Sequence, residues 1–402
     1  MEKIKYRNIS KDEEHKFFQF TSYSFKMEEG AGMYKKGEKL PETIGEKKGL
    51  FKGDELVCCY QLYEVDCKTR GTWFKTGGIG DVASPPHNRR KGYVGKMLTY
   101  ALEEMKERKI RFSALWPFSY SFYRKYGWEQ GTASLHIVLE PSSLKFTEDS
   151  IKGKFKQVNA EEYSLLNNIY NTFYKGYDLG IKRDKTWWVN RVFKSGDKNR
   201  FGYIWEENGK PQGYIIYSAS KGPNGYWENR IHVREIIGID IPSFLQLFRF
   251  IYYHDSQCRE VGMMLPFDFP LLKILPEPRI KTYEVRPGVM IRIVDIQQVL
   301  NKITYPNQVK AGFTFRVFDE TAPWNNGIFR LEVSDGKGEC SQISGDEGDF
   351  SIKINHLSSI LAGFMTPAEV YSLGYLDTDN DKIIKILEKI FPPRQTFFTG
   401  YF

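Results

Sequence analysis

The chain of 402 residues has only five cysteines, an odd number that includes the adjacent pair Cys58-Cys59. That is too sparse for a disulfide framework and fits reduced thiols in a cytosol. No run of about 18 uncharged apolar residues occurs, which excludes a transmembrane helix and predicts no membrane partner. Met1-Glu2-Lys3-Ile4-Lys5-Tyr6 lacks the apolar stretch of a secretory signal. The six histidines show no metal-ligand spacing, and Cys58-Cys59 has no partners at zinc spacing, so no metal is expected. There is no Gly-x-Ser-x-Gly elbow for a serine hydrolase and no Walker loop around Gly95-Lys96-Met97. Internal repeats and low-complexity segments are absent. Charge of one sign is scarce too: 58 Lys and Arg face 50 Asp and Glu, a mild and scattered excess of +8. It indicates affinity for some anion and, without a recognised module, no nucleic-acid partner.

What is present is a soluble globular composition, 41% hydrophobic and 27% charged, with length for two or three domains. Coarse periodicity divides it at 1–150, 151–288 and 289–402. The first part reads as α+β: a helix near Lys11 to Phe25, strands Gly49–Leu56 and Val57–Cys67, and a strand ending at Val82-Ala83-Ser84. Helix follows Gly92, carried by Val94, Leu98, Ala101, Leu102 and Met105, and then a strand over Phe112–Trp116. The second part repeats helix then strand: helix Glu161–Phe173, strand Gly213–Tyr217, helix Ser243–Tyr253. The third begins with the strand Val289–Val294 and has a helix at Thr366-Pro367-Ala368-Glu369, a capping-box pattern. Asp377–Asp381 imitates a calcium loop, but Lys382 replaces the required glycine, so it reads as an acidic helix start.

The chemistry concentrates at Val82-Ala83-Ser84-Pro85-Pro86-His87-Asn88-Arg89-Arg90-Lys91-Gly92-Tyr93-Val94-Gly95. Strand, basic glycine-containing turn, then helix is how backbone N–H groups are aimed at an anion. The first helical N–H groups have no internal partner, and the helix dipole adds positive potential there. Gly92 and Gly95 let backbone approach a diphosphate, with Arg89, Arg90 and Lys91 as counter-charge. A solvated basic turn that merely starts a helix is the competing interpretation. Gly78-Ile79-Gly80-Asp81 mimics a dinucleotide fingerprint, yet Pro85-Pro86 forbids the helix it needs.

Pro86-x-x-Arg89-Arg90-x-Gly92 resembles the acetyl-CoA-binding segment of the GCN5-related N-acetyltransferases, whose usual pattern is [RQ]-x-x-G-x-[GA]. Val94 stands at the last Gly/Ala position, with Gly95 one later. Phe122-Tyr123-Arg124-Lys125-Tyr126-Gly127-Trp128 resembles a second segment of that superfamily. Asp184–Trp188, Met290–Asp295, Ala322–Gly327 and the aromatic end at Phe402 extend the resemblance, over essentially the whole chain, to the enhanced intracellular survival (Eis) acetyltransferases. The resemblance implies tandem acetyltransferase-like α+β folds, mixed sheets flanked by helices, the second without a CoA site. A sterol-carrier-like domain follows, and the assembly is a homo-hexamer.

It further implies acetyl-CoA as co-substrate, bound by Val82, Ala83, Ser84, Arg89, Arg90, Lys91, Gly92, Tyr93, Val94 and Gly95. The acceptor is a primary amine on a small polycation: an aminoglycoside, a polyamine or a lysine side chain. Tyr123 matches the family's general acid, and the C-terminal carboxylate of Phe402 its base; Tyr126 reads as packing. Glu28 and Glu29 offer an acidic rim for a cationic acceptor. Tyr123 as a core tyrosine and the tail as structural glue stay open as alternatives. So does a non-catalytic ligand carrier of the same shape, which Val94 at the glycine position favours.

Overall fold

The computed structural model describes residues 3–25, 44–146, 153–195, 198–222, 225–345 and 347–400. They fall into two compact units, each built from separate stretches of chain. One joins the N-terminal part up to Gly131 with Val289–Arg394; the other joins Thr132–Gly288 with the stretch 395–400.

In the first unit a seven-stranded sheet runs Ile4–Asn8, Glu46–Lys52, Glu55–Thr69, Thr72–Ala83, Phe112–Leu115, Met290–Ile293, Glu129–Gln130. Only Thr72–Ala83 and Phe112–Leu115 are parallel neighbours. The helix Tyr93–Glu107 crosses between them and buries Leu98, Ala101, Leu102 and Met105 of the stripe its periodicity predicts; Met97 is buried with them, while Val94 is only partly buried. The break expected at Leu56/Val57 lies earlier, in the turn Gly53-Asp54 between Lys52 and Glu55. A second correction concerns Met290–Ile293. Its sequence reads as the opening strand of the third part, yet it inserts into the first sheet. All four residues are buried, as an interior strand requires; an apolar run announces a buried strand without naming its sheet.

A five-stranded sheet, Lys337–Ile343, Gly327–Ser334, Ala311–Phe318, Phe350–Lys353, Leu376–Asp377, completes this unit. The helix Ile354–Ala362, buried along its whole length, joins it to the first sheet. The Ile293 N–H donates to Ser358 Oγ (2.9 Å), and Ser359 Oγ donates to the Gln130 carbonyl (2.8 Å). Arg70, 2% exposed, donates to the carbonyls of Ile360, Leu361 and Pro392. Buried Arg292 of the inserted strand meets both carboxylate oxygens of Asp319 at 2.9 Å. A charge this deep persists because its partner is fixed there as well. The capping box at Thr366 and Glu369 forms, and Asn380 caps the helix Asp381–Ile390 where the calcium-loop imitation stands.

The second unit repeats the plan: Thr282–Pro287, Ala133–Leu139, Cys258–Pro266, Gly225–Gly238, Lys210–Gly222, Phe201–Glu207, Gly153–Val158. Its one parallel pair is Gly225–Gly238 with Cys258–Pro266, linked by the helix Ile241–Tyr252. The chain therefore passes to this unit at Thr132, ahead of Pro141-Ser142-Ser143. The helix expected from Glu161 begins with a 3-10 turn, Ala160–Glu162, and continues as Tyr163–Phe173.

Candidate active site

The strand Thr72–Ala83 leaves its parallel neighbour partway along. The last pair between them is Ile79 with Leu115, and Gly80–Ala83 runs on alone on that side. On the other side Gln61 pairs Gly80 and Cys59 pairs Ala83, so Asp81 and Val82 together face Tyr60. Asp81 takes a left-handed φ of 53° to make this bulge. A bulge bends its strand and sharpens the twist, which here opens the wedge.

The basic turn closes one side of that wedge. Asn88 donates to Glu55 (2.8 Å) and Arg89 Nε to the Ser84 carbonyl (3.1 Å), fixing the turn to the strands below. Arg90 and Gly92 have φ of 60° and 79°. Gly92 is the cap of helix Tyr93–Glu107 and provides no side chain to its N–H groups. The first intrahelical bond runs from Lys96 N–H to the Gly92 carbonyl (3.1 Å), so the N–H groups of Tyr93, Val94 and Gly95 have no intrahelical acceptor. A Cβ at Gly92 would meet no atom within 4 Å. Donors, dipole and room for an anion coincide.

The wedge and turn frame a cleft of about 580 Å³. Of the ten residues the sequence assigns to the co-substrate, eight line it: Val82, Ala83, Ser84, Arg89, Arg90, Gly92, Val94 and Gly95. Lys91 and Tyr93 do not. The Ser84 hydroxyl is committed to the Val57 carbonyl (2.9 Å), so this residue offers its backbone. Phe118, Phe122 and Tyr126 form an aromatic wall that sequence reasoning did not assign to the site. Tyr126 also explains the displaced glycine, because a Cβ at Gly95 would collide with its hydroxyl. The pattern's small residue sits where the phenol packs, and Val94 faces the cleft.

Tyr123, on the short helix Tyr120–Arg124, is 1% exposed and is not among the cleft-lining residues. It packs edge-on against Phe118, Phe122 and Trp128. Burial pushes its phenol well above the ordinary value of 10.0, so it keeps its proton at neutral pH. Glu28, Glu29 and Phe402 lie outside the described residues.

Comparison with known proteins identifies the domains. Residues 5–131 and 179–293 each match a family described as acetyltransferase (GNAT) domain, and residues 296–399 match the sterol carrier protein domain. An uncharacterized N-acetyltransferase of Streptomyces avermitilis is 22% identical over 342 residues, covering 81% of each chain. Among solved structures, a probable N-acyltransferase from Enterococcus faecalis superposes with a TM-score of 0.87 at 20% identity, covering 100% of both chains. Eis1 from Mycobacterium abscessus gives 0.77 at 18%, again over 100% of both. The protein is a GNAT acetyltransferase with a sterol carrier protein domain. GNAT acetyltransferases use acetyl-CoA, and the cleft beside Gly92 has the donors such a diphosphate needs.

The other acetyltransferase domain has the same skeleton with different side chains around the bulge and the helix start. Pairing of its parallel strands ends at His232 and Gly262, and Arg234 bulges between Val233 and Glu235. Glu235 is held by both terminal nitrogens of Arg183 (2.7 and 2.8 Å) and by the Tyr214 hydroxyl. The next helix, Ile241–Tyr252, is capped by Asp240, whose carboxylate accepts from the Ser243 N–H at 2.9 Å. Its N-terminus already holds an anion of its own. The sequence Asp240-Ile241-Pro242-Ser243 signals this cap and was the overlooked clue.

The aromatic tail packs into this second unit. Asp178 exchanges backbone bonds with Gln395 and Phe397, and Phe397 and Phe398 are buried. Arg183 donates to Thr399 Oγ1 (2.6 Å), which also lies 3.3 Å from the Tyr174 hydroxyl. The tail is thus strapped by named bonds up to Thr399.

Proposed function

We propose that the protein transfers the acetyl group of acetyl-CoA to a primary amine of a small polycationic acceptor. One observation carries this: the uncapped helix start at Gly92 opens onto the wedge beyond Ile79, in the first domain alone of the two. The N–H groups of the first helical turn, with Arg89 and Arg90, bind the diphosphate. The Gly80–Ala83 backbone, past its last pair with Phe112–Leu115, runs beside the pantetheine arm.

A free alkylamine has a pKa near 10.4 and must lose a proton before it attacks. The amine nitrogen bonds to the thioester carbonyl carbon, the C–S bond breaks, and the amine proton passes to the Phe402 carboxylate. Tyr123 gives its proton to the departing thiolate, yielding the amide and free CoA. Its place in the segment Phe122–Trp128 supports this role, and like any tyrosine the phenol is protonated at neutral pH. The strapping of the tail through Thr399 supports the other, since a base must be held still. Glu28 and Glu29 complete the reading as the acidic rim that admits a polycation. A cytosolic location, a hexamer, and no membrane or nucleic-acid partner go with it.

The test is thiol release from acetyl-CoA with a panel of amines: a polyamine, an aminoglycoside and a lysine peptide. Release that depends on amine supports transfer. Acetyl-CoA binding with no release on any amine would replace the enzyme with a ligand carrier.

A further inference from the structure

The second unit has a cavity of its own, about 660 Å³, on its sheet. Five cations border it, from four separate places in the fold. Arg191 and Lys194 come from the end of the π-helix Trp188–Phe193, and Arg200 precedes the strand Phe201–Glu207. Arg234 stands at the bulge of Gly225–Gly238, and Arg286 on the edge strand Thr282–Pro287. His136 and His232 add two imidazoles, while no Asp or Glu is among the described lining residues. Glu284 holds Arg286 from the rim (2.7 Å), and Glu235, near Arg234, is committed to Arg183. The floor is bare at Gly262, where an added Cβ would meet no atom within 4 Å.

A solvated basic face turns its charges outward and apart. Here Arg200 is only partly exposed, and its Nη1 is clamped by the carbonyls of Val192 (2.6 Å), Lys194 (3.1 Å) and Arg191 (3.4 Å). Arg286 Nη1 lies 3.5 Å from His136 Nδ1. Burial and then the charge of Arg234 lower the pKa of Arg200; burial and then Arg286 lower that of His136. In both the larger cause is burial, and a neighbouring guanidinium adds to it. Like charges gathered this closely repel, and an anion placed among them is attracted by every one. The chain as a whole is nearly balanced, 58 against 50, so this gathering is local.

We propose that this cavity binds a small molecule carrying two or more phosphate groups, of nucleoside-polyphosphate size. Guanidinium groups suit phosphate because their planar N–H pairs match two oxygens at once. Val233 and Met264 supply an apolar wall for the rest of such a ligand. This cavity and the cleft beside Gly92 share no lining residue among those described, and the proposal does not rest on the transfer reaction.

The experiment is calorimetric titration of the full chain with inorganic triphosphate at about 0.15 M salt, where exposed charges are largely screened. Three proteins are compared: wild type, a Lys194→Glu/Arg286→Glu pair, and an Arg89→Glu/Arg90→Glu pair. Both residues of the first pair are well exposed, so the fold tolerates the change; circular dichroism of each variant checks it. Saturable wild-type binding, weakened at least about tenfold by the first pair and retained by the second, is expected. No saturable wild-type binding overturns the proposal. So does binding lost only in the second pair, which would put the anion at the Gly92 turn. Wild-type affinity in the first pair overturns it as well.

Discussion

Two halves of this protein carry the same device and use it differently. Each has one parallel strand pair that parts at a bulge, Asp81–Val82 in one and Arg234 in the other, followed by a helix. In the first, Gly92 leaves the helix N-terminus open, and no Asp or Glu is among the described residues that line the cleft. In the second, Asp240 caps the helix, and Glu235, next to the bulge, is paired with Arg183, which also reaches Thr399. The shared skeleton makes both acetyltransferase domains; a handful of side chains decides whether a thioester finds donors there. The second half is then released for another use, fastening the tail.

That contrast can be broken in several ways. The largest effect is expected from one residue added after Phe402. Moving the terminal carboxylate should lower turnover about a thousandfold with acetyl-CoA affinity kept, measured by thiol release and calorimetry. A fully active extended protein would move the base elsewhere. Tyr123→Phe should cost about a hundredfold in kcat, again without loss of acetyl-CoA affinity, because the hydroxyl serves only the leaving thiolate. If Tyr126→Phe shows that loss instead, the acid is the phenol on the cleft wall. Glu28→Gln with Glu29→Gln should raise the acceptor KM about tenfold and leave kcat alone. Unchanged kinetics would remove both from the rim. The smallest effect belongs to the second half: Asp240→Ala should cost about 1 kcal/mol of stability in denaturant unfolding and leave acetyl-CoA affinity unchanged. A changed affinity would mean that the second helix start takes part in binding.

Much of the first site was readable because its signals are local. Gly92 after a basic turn, followed by apolar residues at helical spacing, specifies an uncapped helix start through the chemistry of adjacent residues. The bulge at Asp81 was not readable, since nothing in Gly80-Asp81-Val82 names the strand opposite. Nor was the destination of Met290–Ile293, whose apolar run fits any buried strand and which a partner 160 or more residues away recruits. The Gly95–Tyr126 contact depends on the angle at which the short helix Tyr120–Arg124 meets the longer one. Such an angle comes from packing, and sequence spacing does not encode it. The Asp240 cap was local and readable, and attention to glycine-containing turns alone passed it by.

The central claim is that the open helix start at Gly92 is where the co-substrate binds. Calorimetric titration of wild type and Gly92→Glu with acetyl-CoA tests it directly, with thermal unfolding of both to check the fold. The account predicts saturable binding by wild type and loss of at least about a hundredfold in affinity when a carboxylate faces the diphosphate, with the variant still folded. Equal binding by a folded Gly92→Glu variant would contradict it.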